Sequence, residues 1–194
     1  MRVARIIPET LAEGPGRRFS IWVQGCGHHC AGCFAHALWD YEGGYFIAAD
    51  DIVCQLEALY GKLDGIPLLG GEPFDQAREL SVIAEAAHRA GKNVITFTGY
   101  TYEQLVSSDR VDWKALLSHT DLLIDGKYDK SRPETERPLA GSTNQRFLHL
   151  TDRIAPETVT HYKNRFEIRL DEKGSISFNG MGNINKLLSL LKQL

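Results

Sequence analysis

The chain has 194 residues, 43% of them hydrophobic and 24% charged, and a formal net charge of −3. This length suits one domain with a sizeable core and no disulfide staples. The composition excludes disorder, and the slight negative charge offers no basic field to nucleic acid or a membrane surface. No apolar run approaches the roughly 18 residues of a spanning helix. The opening stretch MRVARIIPETLAEG carries charges within its apolar part and has no small-residue cleavage site, so the expected compartment is the cytosol.

FSIWVQG, Phe19 to Gly25, reads as a strand that ends at Cys26. ADDIVCQLEALYGK follows with Ile52, Val53, Leu56 and Leu59 at helical spacing and Asp50 as the expected N-cap. IPLLGG is a short buried strand stopped by Gly70 and Gly71, and FDQARELSVIAEAAHRAGK is an amphipathic helix ending near Gly91. NVITFTGY is a third strand, followed by weaker helical segments around Leu105 and Leu116. DLLIDGKY is a fourth strand ending in charge, and RFLHL and FEIRLD are candidates for the fifth and sixth. SISFNG is placed to pair with FEIRLD through the turn at EKG, and a helix, INKLLSLLKQL, closes the chain.

Strands alternating with helices predict a parallel α/β architecture. An eight-unit barrel takes about 250 residues, so the expectation is a single domain over residues 1–194: a partial barrel of six βα units, with an open doubly wound sheet as the alternative. In such folds the carboxyl ends of the strands form the ligand face. Cys26, the turn from Gly70 to Pro73, Gly99 and the stretch Asp125 to Lys127 all lie at strand ends and are expected to converge.

The first strand runs into VQGCGHHCAGCF, which sets Cys26, Cys30 and Cys33 at the spacing C-x3-C-x2-C. A reducing compartment disfavours disulfides, and three clustered thiols cannot all pair with one another. Structural zinc wants four protein ligands, so His28, His29 or His36 would have to complete it within one cramped loop. An electron-transfer cluster wants four cysteines, and Cys54, in a helix among core-type residues, reads as a buried small hydrophobe. A 4Fe–4S cluster on three thiolates remains, with one iron left open.

C-x3-C-x2-C after a first strand, with LLGGEP at the end of the second, resembles the radical S-adenosylmethionine superfamily. The resemblance implies that S-adenosylmethionine occupies the open iron and is cleaved on cluster reduction to a 5′-deoxyadenosyl radical. From EGPGRRFSIWVQGCGHHCAGCF through LLGGEPFDQ and ITFTGYTYEQL to DLLIDGKYDKSRPETERPLAGSTNQRFLHL, the chain is most similar to the short activating enzymes of glycyl-radical proteins. These include the activating enzymes of anaerobic ribonucleoside-triphosphate reductase and of pyruvate formate-lyase. The resemblance implies an iron–sulfur oxidoreductase. Its partner would be a large glycyl-radical enzyme, expected to be the anaerobic ribonucleotide reductase, and its electron donor flavodoxin or ferredoxin. It also implies that Cys26, Cys30 and Cys33 hold the cluster. Gly32, Cys33 and Phe34 would lie beside the adenine, and Gly70, Gly71, Glu72, Asp125, Gly126 and Lys127 would line the S-adenosylmethionine site. Two positions depart from the family pattern: Gly32 stands where many superfamily members have an aromatic residue, and Ala35 where the activating enzymes usually have asparagine.

Rival readings are a small radical enzyme similar to 7-carboxy-7-deazaguanine synthase, a peptide-modifying radical enzyme, and a zinc-bound interaction module. His28 and His29 are open to a role at the cluster or to plain solvation. His88 and His119 read as surface residues, and Arg132, Arg137 and Arg146 as members of a solvated loop rather than a docking surface for an acidic partner.

Overall fold

The computed structural model describes residues 1–182 together with Ser189. The closing helix expected over INKLLSLLKQL therefore falls, apart from Ser189, outside the described residues. Nine strands and five α-helices are described: β1 (Arg2–Thr10), β2 (Arg18–Val23), β3 (Tyr45–Phe46), α1 (Ala49–Glu57), β4 (Gly65–Gly70), α2 (Ala77–Arg89), β5 (Asn93–Phe97), α3 (Tyr102–Ser107), α4 (Val111–Ser118), β6 (Leu122–Asp125), β7 (Arg146–His149), α5 (Pro156–His161), β8 (Phe166–Leu170) and β9 (Ile176–Gly180). Seven strands form one mixed sheet in the order β3-β1-β2-β4-β5-β6-β7, and β8 and β9 pair as a separate hairpin.

The centre of the sheet is parallel: β2 on β4, β4 on β5, and β5 on β6. Its strands read as near-continuous apolar runs because both faces are covered. On one face Val94 and Leu123 join Ile52 and Leu56 of α1, Leu80, Ile83 and Ala84 of α2, and Trp113 and Leu116 of α4. On the other, Ile95, Leu122 and Ile124 pack on Leu139, Ile154, Val159 and Tyr162 from the chain after β6.

The α/β class is as expected, but the parallel part holds four strands rather than six. RFLHL forms β7, which returns antiparallel on β6. No helix separates the two, and antiparallel neighbours need no crossover. FEIRLD lies in the hairpin, paired with SISFNG through the EKG turn. In that turn Gly174 has φ 78°, and the Asp171 carboxylate accepts from the N–H groups of Lys173 and Ser175. The opening stretch forms β1, antiparallel to β2. Val3 and Ile7 of this strand are buried, while Arg2, Arg5 and Glu9 stay partly exposed.

Other expectations change with packing. Helix α1 starts after Ala48, with Asp50 and Asp51 in its first turn rather than at the cap. Ile52 and Leu56 point inward one turn apart, which leaves Cys54 on the opposite side and exposed. His88 is no surface residue: its Nε2 lies 2.9 Å from the fully buried Asp121 carboxylate. His119 meets His88 edge-on at 5.4 Å, and burial lowers its pKa. Arg137 stacks on Phe147 and pairs with Glu134. Arg146 stands in β7 and reaches the buried Asp125, so neither belongs to a loosely solvated loop.

Candidate functional site: a cysteine loop on four strand ends

Hydrogen bonds stitch the carboxyl ends of β2, β4, β5 and β6 together, so these strand ends converge as expected. Gly71 N–H donates to Val23 O (2.8 Å) and Glu72 N–H to Gly25 O (2.8 Å). Thr98 N–H donates to Ile124 O (2.9 Å), and Gly126 N–H to Tyr100 O (3.1 Å). The glycines at the end of β4 permit this closeness. A Cβ on Gly71 would stand 2.1 Å from Gly25 O, and one on Gly70, whose φ is 109°, would stand 2.7 Å from the Val23 backbone.

The cysteine loop rises from this platform. Cys26 N–H donates to Trp39 O, and Cys33 N–H to Cys30 O. The backbone N–H groups of His28 and His29 favour the Cys26 thiolate, and that of Tyr128, in the loop after β6, favours the Cys30 thiolate. Burial pushes the Cys26 thiol up to about 11 and raises that of Cys30, with Lys127 opposing the rise at Cys30. Gly32 turns the loop with φ 76°, and Phe34 stands at its outer side, 77% exposed.

Two expected site carboxylates are already engaged. Glu72 is 1% exposed. Its Oε1 accepts from Phe74 N–H (2.9 Å) and Thr98 Oγ1 (2.8 Å), while its Oε2 accepts from Gly99 N–H (2.8 Å) and faces His28 Nε2 at 3.0 Å. Those four contacts fill the four lone-pair positions of a carboxylate. Asp125, fully buried, accepts from Tyr102 N–H at the start of α3 and from the Arg146 guanidinium, which also holds Glu103. Gly126 has φ 102°, and a Cβ there would stand 3.7 Å from the Asn144 carbonyl oxygen, and Lys127 is exposed.

The sequence reading did not single out Thr98, Tyr100, Trp39 or Tyr128 as neighbours of the loop. Only the TGY motif pointed toward two of them. Trp39 stacks on His29 at 4.7 Å, and its buried indole N–H has no acceptor.

The donor set fits a 4Fe–4S cluster. Three thiols lie in one loop, and backbone N–H groups favour the thiolate form of two of them. A buried indole donor beside them lacks an acceptor. A cluster asks for one thiolate at each of several irons, whereas zinc asks for four ligands on one centre.

Residues 12–148 match the family described as a 4Fe-4S single cluster domain, which sets the class of this protein. The chain is 32% identical over 161 residues to the anaerobic ribonucleoside-triphosphate reductase-activating protein of Enterobacteria phage T4, covering 79% of this chain and 97% of the relative. It is 31% identical over 153 residues to the protein of that name from Vibrio cholerae (75% and 96%), and 28% identical over 157 residues to that of Escherichia coli K12 (77% and 99%). The chain thus belongs to the family of anaerobic ribonucleoside-triphosphate reductase-activating proteins. The β8–β9 hairpin lies beyond residue 148, where the match to the cluster domain ends.

Proposed function

We propose that this protein is a radical S-adenosylmethionine enzyme that installs a glycyl radical on an anaerobic ribonucleoside-triphosphate reductase, with flavodoxin or ferredoxin as electron donor. Residues 1–194 act as one domain, with the four parallel strands as the wall of an incomplete barrel. Cys26, Cys30 and Cys33 hold three irons of a 4Fe–4S cluster. When bound, the reduced cluster and S-adenosylmethionine supply a 5′-deoxyadenosyl radical that takes a hydrogen atom from a backbone glycine of the partner.

The chain's own residues divide the remaining work. Gly32 and Phe34 flank Cys33 on the adenine side. The backbone at Gly70 and Gly71 and the turn at Gly126 and Lys127 border the cofactor. Glu72 and Asp125 act from beneath, because their acceptor positions are occupied: Glu72 ties the ends of β4 and β5 to the cysteine loop, and Asp125 ties β6 to α3 and β7. Burial disfavours the free thiolates, so cationic iron supplies the charge that stabilises them.

The observation that carries this reading is the cysteine loop, running on from β2 and anchored through His28 on Glu72, over strand ends that hydrogen bonds draw together. The test is anaerobic reconstitution with iron and sulfide, then reduction with S-adenosylmethionine and the reductase. The readouts are 5′-deoxyadenosine and the glycyl-radical resonance. Both are expected from the wild type and neither from Cys30→Ala. Zinc in place of iron, with no product, overturns the proposal.

A further inference from the structure

His28 lies midway between Cys26 and Cys30, yet its side chain turns away from solvent, leaving 9% exposed. Its ring fills the space beside Gly99, where an added Cβ would stand 2.3 Å from His28 Cδ2. It meets the Tyr100 ring edge-on at 4.5 Å, and its Nε2 lies 3.0 Å from Glu72 Oε2. The next residue, His29, takes φ 47°, a left-handed conformation that a non-glycine residue holds only when its surroundings impose it. Two anchors impose it here: the His28–Glu72 contact on one side and the stack of His29 on Trp39 on the other. In this conformation the backbone N–H groups of both histidines favour the Cys26 thiolate, opposing the rise that burial imposes. Hydrogen bonds to ligand sulfurs are among the factors that set a cluster's potential, because they stabilise the more negative, reduced form.

We propose that His28 is a positioning residue: its contact with the buried Glu72 carboxylate locks the loop so that two backbone N–H groups stay on the Cys26 sulfur and raise the potential of the cluster held there. This rests on the cluster assignment proposed above. The imidazole itself does not bind iron or substrate in this scheme. Glu72 is a suitable anchor because Phe74 N–H, Thr98 Oγ1 and Gly99 N–H already immobilise it. A position fixed at the ends of β4 and β5 is thereby transmitted to the cysteine loop.

The test compares wild type, His28→Ala and His28→Gln, the last returning an N–H donor near the Nε2 position. Amide hydrogen exchange is measured first on the metal-free protein. His28→Ala is expected to speed exchange at position 28, His29 and Gly99 by roughly tenfold to a hundredfold, the factor carried by one hydrogen bond to a charged group. The midpoint potential of the reconstituted cluster is then titrated and is expected to move to more negative values in His28→Ala. Both readouts are expected to return toward wild type in His28→Gln. Unchanged exchange in His28→Ala overturns the lock. Faster exchange with an unchanged potential, or no rescue by glutamine, reduces His28 to a structural residue and overturns the proposal. Wild-type protein that assembles no cluster overturns the cluster reading instead, and the exchange data from the metal-free chain separate the two failures.

Discussion

Glu13 offers a quantitative test of how the hairpin is joined to the sheet. It follows β1 and is 3% exposed, with its Oε1 accepting from Asn179 Nδ2 of β9 at 3.0 Å. Burial, partly opposed by bonds from Asn179 and Gly180 and by the charge of Arg5, raises its pKa from 4.5 to about 7. A raised carboxyl favours the protonated folded state, so its contribution is fully present below the unfolded value and is lost as pH rises through about 7. At about 1.4 kcal/mol per pH unit, the interval corresponds to about 3 kcal/mol. Glu13→Gln keeps the carbonyl acceptor for Asn179 and removes the buried charge. The variant should match wild type near pH 4.5. It should exceed it by up to about 3 kcal/mol at about pH 8. Urea unfolding of the metal-free, reduced protein across this range measures the difference directly. A wild-type-to-variant difference that does not change with pH would refute the reasoning, because only a titrating Glu13 makes it pH-dependent.

Arg146→Met strands the fully buried Asp125 without its cation and should cost about 3 kcal/mol in thermal or urea unfolding. The lower end of the usual range applies because the Arg146 side chain is itself 42% exposed, and adding Asp125→Asn should recover most of the loss. Gly71→Ala places a Cβ 2.1 Å from the Gly25 carbonyl oxygen, a backbone atom with no rotamer to yield. That variant should keep its far-ultraviolet circular dichroism yet bind much less iron per chain after reconstitution, and undiminished iron uptake would count against the tight β2–β4 junction.

The local signals in this chain were strong where structure depends on neighbours in sequence. Cys26, Cys30 and Cys33 lie within eight consecutive residues, so their spacing alone pointed to a shared inorganic group. The apolar runs of β2, β4, β5 and β6 end at polar or glycine-rich turns, and a strand buried on both faces leaves that mark. The hairpin of β8 and β9 was legible from two strand-like runs around EKG. Partners distant in the chain were not legible. His28 meets Glu72 across 44 positions and Thr98 meets Glu72 across 26, so GGEP as a string could not reveal that its carboxylate is filled. The direction of β7 was equally hidden, because RFLHL has the same apolar character whether it runs parallel or antiparallel to β6. Cys54 looked like core because periodicity marks an apolar side of a helix without saying how wide it is. Chemistry carried by residue type and short spacing was written in the chain; burial, charge pairing and the hold on the cysteine loop came from contacts that form only when the four strand ends meet.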